Sequence, residues 1–311
     1  MRPQLRLIAV MLGAAVSLAL PDPSTAQLQT NLQEFAADTA PSFDNPSAAL
    51  ERLKAVLSAN DIDGLASLLG LNAAKLRSSN EAVVSYGLMR EGAARHLSLQ
   101  DVGKRKVIVV GDALWPLPFP LSQGKDGKWA FDPEVGLQEI VNRRVGENEL
   151  ATIQTMRDYV AAQYEYARID EDDDGLYEYA QRLISTPGKR DGLYWQRGVF
   201  DEESPAGPLI ETAAFGKAKR GEGYYGYRYR ILTAQGANVI GGEQSYIVNG
   251  NMTGGFALIA WPAKYRATGV QTFVVNNAGI VYERDLGAKT EERALAIKAF
   301  NPDANWEIVR D

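Results

Sequence analysis

Five consecutive acidic residues, at positions 170–174, are the part of this chain best suited to chemistry. Asp170, Asp172 and Asp174 alternate before Gly175, and Glu178 follows. This spacing converges hard oxygen ligands on one point, as a calcium ion requires. A regular EF-hand loop would carry a bidentate Glu where this chain has Gln181. The sequence therefore allows two interpretations, first a solvated acidic turn before the next helix, and second an irregular calcium site. The ligands of the calcium site would be Asp170, Asp172, Asp174 and Glu178.

Aromatic residues in the second half of the chain form another candidate site. Tyrosines alternate with glycine and arginine over residues 225–231, a pattern typical of a half-buried strand. Exposed rings could stack on sugars or peptides, whereas buried rings would only build the core. Alternating tyrosines on a strand are more often core residues; the alternative is a ligand groove formed by Tyr194, Trp195, Tyr225, Tyr227 and Trp261.

Catalytic chemistry has few residues available to it. The chain has no cysteine, one histidine (His96) and no nucleophile motif, so a hydrolase would need a pair of carboxylates. Asp191, Glu202 and Glu203 lie close together in a stretch punctuated by Pro and Gly, at residues 187–208. No spacing fixes them as a pair, and the sequence assigns no catalytic residue.

Charge limits the classes of partner. The formal net charge is −6, and no basic stripe interrupts the acidic composition. Nucleic-acid binding depends on neutralising phosphates with Lys and Arg, so we expect no nucleic-acid partner. Binding to anionic lipid surfaces is disfavoured for the same reason.

The first 26 residues have the organisation of a secretory signal. Arg2 and Arg6 precede an apolar run at 7–20, and small residues follow up to Ala26. We expect cleavage after Ala26, a mobile leader at 27–43, and a periplasmic or secreted protein without a transmembrane segment. The run is shorter than the roughly 20 residues that span a bilayer, which argues against a membrane anchor.

The first half of the remaining chain predicts helices followed by antiparallel strands. Helices are expected from Pro46, over 62–69 and over 81–96, with Asn45 and Asn60 or Asp61 as N-caps. Strands are expected at 107–110, 113–121 and 128–131, and then a helix at 137–144. These elements predict a helix-then-sheet domain at 44–145, which ends at a hinge at Gly146.

The second half predicts a long helix packed on an antiparallel sheet. Asn148 would cap the helix, with Leu150, Ile153, Tyr164 and neighbours on its buried face. A short helix is expected at 176–184, and the last helix at 290–300. Strands are expected at 225–231, 244–248, 256–261, 272–275, 280–284 and 306–310. The predicted fold class is α+β with two domains, the second spanning 147–311.

Several phrases together resemble a bacterial envelope family catalogued as domain of unknown function 2950. They are GKW at 127–129, NRR at 142–144, GENE at 146–149, EYA at 178–180, PGKRDGLYW at 187–195, LTAQG at 232–236 and GGFALIAWP at 254–262. The resemblance covers nearly the whole chain after the signal. It implies an exported envelope protein and brings no catalytic residues with it.

Two weaker resemblances concern the halves separately. The order of helices and strands in the first half is similar to nuclear transport factor 2-like cones. The second half is similar to the globular heads of pseudopilins, some of which bind calcium in a loop. A separate signal and an additional domain precede it here, which sets this chain apart from pilins.

These observations lead to two hypotheses about function. The first is a non-catalytic envelope module for binding or assembly, with an envelope protein or a glycan as partner. The alternative is a periplasmic hydrolase that uses a carboxylate pair. An enzyme needs two titratable groups that converge in a pocket, whereas a binding module needs only an exposed apolar or aromatic surface.

Overall fold

The computed structural model describes residues 35–37, 39–171, 175–196, 198 and 203–310. Its elements are α-helices and antiparallel sheets, which confirms the predicted α+β class. The predicted signal and residues 27–34 of the predicted leader lie outside the described residues.

Four helices open the described fold, and their boundaries follow from side-chain caps. They are α1 (Pro46–Ser58), α2 (Ile62–Leu69), α3 (Ala73–Ser78) and α4 (Asn80–Arg95). The Asn45 side chain accepts from Ala48 N–H, and the Asp61 side chain accepts from Gly64 N–H, so both predicted caps are confirmed. Helix α3 was not predicted, because its six residues are too few to show a period.

The first sheet is small and entirely antiparallel. Its strands are β1 (Leu97–Val102), β2 (Arg105–Val110), β3 (Trp115–Pro116), β4 (Leu121–Gln123) and β5 (Trp129–Phe131), in the order β1-β2-β4-β5 with β3 also on β2. The strand expected over 113–121, which its alternate prolines predicted to be an edge or bulged strand, is interrupted. Leu114 has a φ of 51°, and Pro116, Pro118 and Pro120 lack the N–H groups that a ladder needs. Only two short pieces pair.

Helix α5 (Pro133–Tyr166) is continuous for 34 residues, which corrects two predictions. Gly146 lies inside it and forms no break. Asn148 does not cap a helix; its Nδ2 donates to the Thr268 carbonyl at 2.9 Å. The buried face also differs from the expectation, because Leu150 and Tyr164 are nearly half exposed. The sequence pattern suggested two helices because glycine is unfavourable within a helix. No packing contact requires a glycine here, since no neighbouring atom lies within 4 Å of a Cβ built at Gly146.

Residues 175–184 are not a helix, contrary to the prediction. The backbone N–H and C=O of Ala180 both bond to the Gln163 side chain, at 2.8 and 2.9 Å. Tyr179 N–H donates to the Met252 carbonyl at 2.9 Å. These partners lie on other elements, so they replace the bonds that a local helix would have formed.

The second sheet contains β6 (Tyr227–Leu232), β11 (Ala257–Pro262), β12 (Gln271–Asn276), β13 (Tyr282–Asp285) and β14 (Glu307–Ile308). All neighbours are antiparallel, in the order β14-β13-β12-β11-β6. The predicted hairpin at 272–284 and the terminal strand are confirmed. Strand β11 is buried at every residue, because α5 packs on one side and α7 (Thr290–Ala296) on the other.

Shorter elements complete the second half. They are α6 (Thr212–Lys219), β7 (Ala234–Gln235) paired with β8 (Gln244–Ser245), and β9 (Ile247–Val248) paired with β10 (Asn251–Met252). The predicted strand at 244–248 is thus split between two small ribbons outside the main sheet. Helix α6 was not predicted.

Two hydrophobic clusters organise the described residues. One gathers α1 to α4, the first sheet and Leu137 near the start of α5. The other gathers the second sheet with Met156, Tyr159 and Tyr166 of the same helix. The clusters fall on either side of the predicted boundary, but α5 belongs to both, and the division into two domains stays a prediction.

None of the helices in the described part of the chain is both long enough and apolar enough to cross a membrane.

Candidate functional site

A largely apolar cavity of about 430 Å³ lies beside the second sheet. Helix α5 contributes Thr155, Asp158, Tyr159 and Ala162, and strand β6 contributes Tyr227, Arg228 and Tyr229. Helix α6 contributes Phe215 and Ala218, and strand β11 contributes Leu258. Loops and a short 3-10 helix (Gly207–Leu209) supply further apolar side chains: Leu183, Ile184, Leu193, Tyr194, Ala206, Leu209 and Ile210. The volume is within the range of sites that hold small apolar ligands.

Aromatic rings line this cavity on two sides. Tyr194 and Phe215 meet edge to face with their centroids 5.1 Å apart, and the Lys219 ammonium lies 4.6 Å from the Phe215 centroid. On the other side Tyr224 lies 6.2 Å from Tyr229, also edge to face. Edge-to-face contacts of this kind are favourable, so neighbouring rings constrain one another's orientation.

Few polar groups face the cavity. Asp158 is the only carboxylate among the described lining residues, and it accepts from Gln154 Nε2 at 2.8 Å. Arg228 is paired with Glu291. The Tyr229 hydroxyl donates to Thr152 Oγ1 at 3.2 Å, and the Tyr224 hydroxyl accepts from Glu211 N–H at 3.0 Å. The arrangement can hold an apolar group, and offers a single negative charge.

The tyrosine hydroxyls here stay protonated. Burial raises the pKa of Tyr227 and Tyr229, which line the cavity. Burial also raises the pKa of Tyr224, against a lowering effect of the bond from Glu211 N–H. The cavity therefore presents neutral phenols at physiological pH, which are not bases.

The structure separates the five residues of the predicted groove. Tyr194 and Tyr227 line the cavity. Trp195 is buried, and with Tyr194 it lines a neighbouring crevice of about 220 Å³. Tyr225 lies in a turn with a φ of 51° and contacts the Tyr224 ring, and Trp261 is buried in the core. The alternation of tyrosines with glycine and arginine correctly predicted strand β6. It could not predict which of the aromatic rings line the same cavity.

Sequence reasoning missed most of the apolar wall. Leu183 and Ile184 come from a loop without periodicity, Leu209 comes from a three-residue 3-10 helix, and Phe215 comes from the short α6. Asp158 carries no motif. The only available signal was apolar side chains in loops, where polar residues are more usual.

The two described ligands of the predicted calcium site have protein partners. Asp170 Oδ2 accepts from Gly175 N–H at 2.8 Å, and Glu178 Oε2 accepts from Met252 N–H at 2.8 Å. Asp172 and Asp174 lie outside the described residues. Within the described ranges, no group of three His, Asp or Glu side chains is placed to hold a metal ion. Gly175 has a φ of 87°, as the predicted turn requires.

A polar cleft of about 860 Å³ adjoins this loop. Its carboxylates are Asp170, Glu171, Glu178 and Asp191, and its cations are Arg182, Lys189 and Arg190. Asp191 accepts two bonds from Thr186, both 2.7 Å long. Burial alone would raise the pKa of Asp191, but these bonds and the charges of Arg182 and Lys189 outweigh burial and lower it. Asp191 is therefore unsuited to act as a general acid.

The other predicted acid–base residues lie apart from Asp191. Glu203 lines the small crevice beside Trp195 and not the polar cleft, and Glu202 lies outside the described residues. His96 bonds through Nε2 to Ser98 Oγ at 2.8 Å, at the start of the first sheet. The described part of the chain thus does not bring Asp191 and Glu203 into one pocket.

Comparisons with known proteins support a family assignment. Neither the curated proteins nor the solved structures give a match, so the likenesses to nuclear transport factor 2-like cones and to pseudopilin heads stay predictions. The model of one family, described as a protein of unknown function (DUF2950), matches residues 40–309. That match spans both hydrophobic clusters, all helices and all strands of the described fold. The chain belongs to the DUF2950 family.

Proposed function

We propose that this protein is an exported, non-catalytic binding module of the bacterial envelope, which takes an apolar ligand group into the aromatic cavity. The lining of that cavity carries the proposal: it is largely apolar and includes one carboxylate, Asp158, and one cation, Arg228. A glycan would need converging polar groups to replace its hydration. Of the two partners expected from the sequence, the lining favours an apolar part of an envelope protein.

Partly exposed side chains at the cavity mouth support binding. Ile184 is 56% exposed and Leu209 is 42% exposed. Both could bury this surface on a ligand, which would contribute roughly 25 cal/mol for each Å² removed from water. An apolar mouth that leads to an apolar cavity is typical of a recognition site.

The test is a titration with a neutral apolar dye, N-phenyl-1-naphthylamine, followed by fluorescence. We expect saturable binding, which Ala218→Trp abolishes because the indole fills the cavity. Ala213→Trp is the matched control: Ala213 is exposed on the same helix and does not line the cavity. Absence of saturable binding, or equal binding by both variants, would contradict the proposal.

Export is part of the same proposal and has its own measurement. The charged start, the apolar run and the small residues up to Ala26 support it. Mass spectrometry of the protein from the periplasmic or culture fraction should show Gln27 as the first residue. Intact Met1 on protein recovered from the cytosol would contradict export.

The alternative, a periplasmic hydrolase, would use the polar cleft, where four carboxylates gather. Each of these carboxylates already forms an ion pair or a hydrogen bond with another part of the protein. Glu171 pairs with Arg190, and Asp170, Glu178 and Asp191 accept backbone bonds. We therefore favour binding; a hydrolytic activity on envelope glycans or peptides that Asp191→Asn removes without loss of stability would reverse this preference.

A further inference from the structure

The apolar cavity adjoins the free edge of the second sheet. Tyr227, Arg228 and Tyr229 are consecutive and all three line it. Successive side chains of a strand project to opposite faces, and here Tyr229 bonds Thr152 of α5 while Arg228 pairs with Glu291 of α7. A cavity that touches both sides of a strand lies at its edge.

Strand β6 is the last strand of its sheet, with β11 on one side only. The bonds at its two ends show which backbone groups face outward. Gly226 O accepts from Ala263 N–H at 2.8 Å, toward the β11 side. Tyr227 instead exchanges both its backbone bonds with Tyr224, at 2.9 and 3.1 Å, away from β11.

The alternation continues along the strand. Thr233 O accepts from Tyr246 N–H at 2.8 Å, again away from β11. Tyr229 and Ile231 have the same parity as Tyr227 and Thr233, so their N–H and C=O groups also face outward. Among the residues that the structure describes, none forms a backbone bond with these four groups.

The unpaired backbone groups of β6 favour a ligand that can form hydrogen bonds with them. Unpaired N–H and C=O groups are a template for another strand, and proteins usually cover or charge such edges. A lipid chain or a small apolar molecule could fill the cavity but could not bond these groups. An extended peptide could do both, because its backbone pairs with the edge while alternate side chains enter neighbouring pockets.

We infer that the ligand is an extended peptide segment of another protein, which adds as a strand to β6 at Tyr229 and Ile231 and places an apolar side chain in the cavity. This inference rests on the proposed function, since it uses the same cavity. The segment should alternate apolar and polar residues, because only one of its faces meets the apolar walls formed by Leu183, Tyr194 and Phe215.

The experiment uses the exported full-length protein and a blocked nonapeptide that alternates threonine with valine and phenylalanine. Two N-methylated versions are compared with it, one methylated on the threonines and one on the apolar residues. Each removes the N–H donors from one edge of the peptide strand. We expect one version to lose at least about tenfold in affinity and the other to bind like the parent, since only one edge pairs with β6.

A backbone substitution gives a second measurement. Ile231→Pro removes an outward N–H and leaves the ladder with β11 intact, because proline is tolerated at that position of an edge strand. Peptide affinity should fall about tenfold, while binding of N-phenyl-1-naphthylamine is unchanged, since Ile231 does not line the cavity. Ile231→Val is the control and should bind peptide normally; circular dichroism establishes that each variant folds.

The outcomes separate this inference from the proposed function. If the dye binds but the parent peptide does not, or if both N-methylated peptides bind like the parent, strand addition is wrong and the cavity proposal stands. If neither dye nor peptide binds, both are wrong. A concentration-dependent dimer that Ile231→Pro abolishes would make a second copy of this chain the occupant, and would overturn the assignment of a partner peptide.

Discussion

The side chain of Gln163 and the backbone of Ala180 exchange two hydrogen bonds in the core of the second half. Ala180 N–H donates to Gln163 Oε1 at 2.8 Å, and Gln163 Nε2 donates to the Ala180 carbonyl at 2.9 Å. The same Nε2 also donates to the Tyr159 hydroxyl at 2.9 Å. Gln163 is completely buried. The Gln163 side chain thus satisfies both backbone groups of Ala180 and fixes this segment against α5.

Replacing this amide should be costly. Gln163→Met keeps the volume but leaves the N–H and C=O of Ala180 buried without partners. Each such group costs about 1–3 kcal/mol, so the free energy of unfolding should fall by about 2–6 kcal/mol. Urea denaturation measures it. Gln154→Met, on the exposed side of the same helix, should change stability by no more than about 0.5 kcal/mol; equal effects would contradict the assigned role.

Two glycines of α5 should respond oppositely to alanine. A Cβ at Gly136 would lie 2.0 Å from Cδ1 of the buried Phe119 ring, so Gly136→Ala should cost about 1–3 kcal/mol. Gly146 has no neighbour within 4 Å, and Gly146→Ala should stabilise by about 0.5–1 kcal/mol because the helix is continuous there. Thermal unfolding measures both. Destabilisation by Gly146→Ala would favour the hinge predicted from the sequence.

Glu283 should make stability depend on pH. Burial, then the neighbouring carboxylates Glu149 and Glu307, raise the pKa of Glu283 in the folded protein. A carboxyl with a raised folded pKa opposes folding once it ionises, so its penalty is absent below the unfolded pKa of about 4.3 and grows as pH rises through the folded pKa. Glu283→Gln should therefore raise the Tm at pH 7 and leave it unchanged near pH 4.

The control for this prediction is Glu243→Gln, at an exposed position. It should not alter the pH profile. A Tm gain for Glu283→Gln that is the same at pH 4 and pH 7 would show that charge is not the cause.

The predicted calcium site can be tested by stability. An ion that binds only the folded state at a dissociation constant of about 0.1–1 mM would add about 1–2 kcal/mol at 5 mM calcium, compared with chelator. Asp170→Asn keeps an acceptor for Gly175 N–H but removes the charge, and should abolish the gain. Asp126→Asn, in a hairpin turn of the first sheet, should retain it. An unchanged Tm for the parent protein would end the calcium hypothesis.

Local signals predicted the parts of the fold that are controlled locally. Asn45 and Asp61 identified two helix starts, and the residues at 276–279 identified the turn between β12 and β13. The errors have tertiary causes. Gln163 bonds the backbone of Ala180, which a local helix would have used, and packing of α5 on two clusters keeps Gly146 helical. The residue pattern within 175–184 cannot predict the hydrogen bonds to Gln163, which lies 17 residues before Ala180.

The cavity was less predictable than the fold. Tyr194 and Tyr227 were identified because aromatic residues stand out in a sequence. Leu183, Leu209 and Phe215 could not be identified, because their contribution depends on how a loop, a three-residue 3-10 helix and the short α6 meet. The edge position of β6 is likewise a property of topology, since strand order cannot be obtained from alternation alone.

Helix α5 has a mechanical consequence. Its 34 residues make a rod about 51 Å long. Leu137 anchors one end in the first cluster, and Tyr159 anchors the other in the second, beside the cavity. A tilt of about 5° at the cavity end would move the far end by about 4 Å over that length. Any displacement of α5 at the cavity would therefore also displace the residues that this helix contributes to the first cluster.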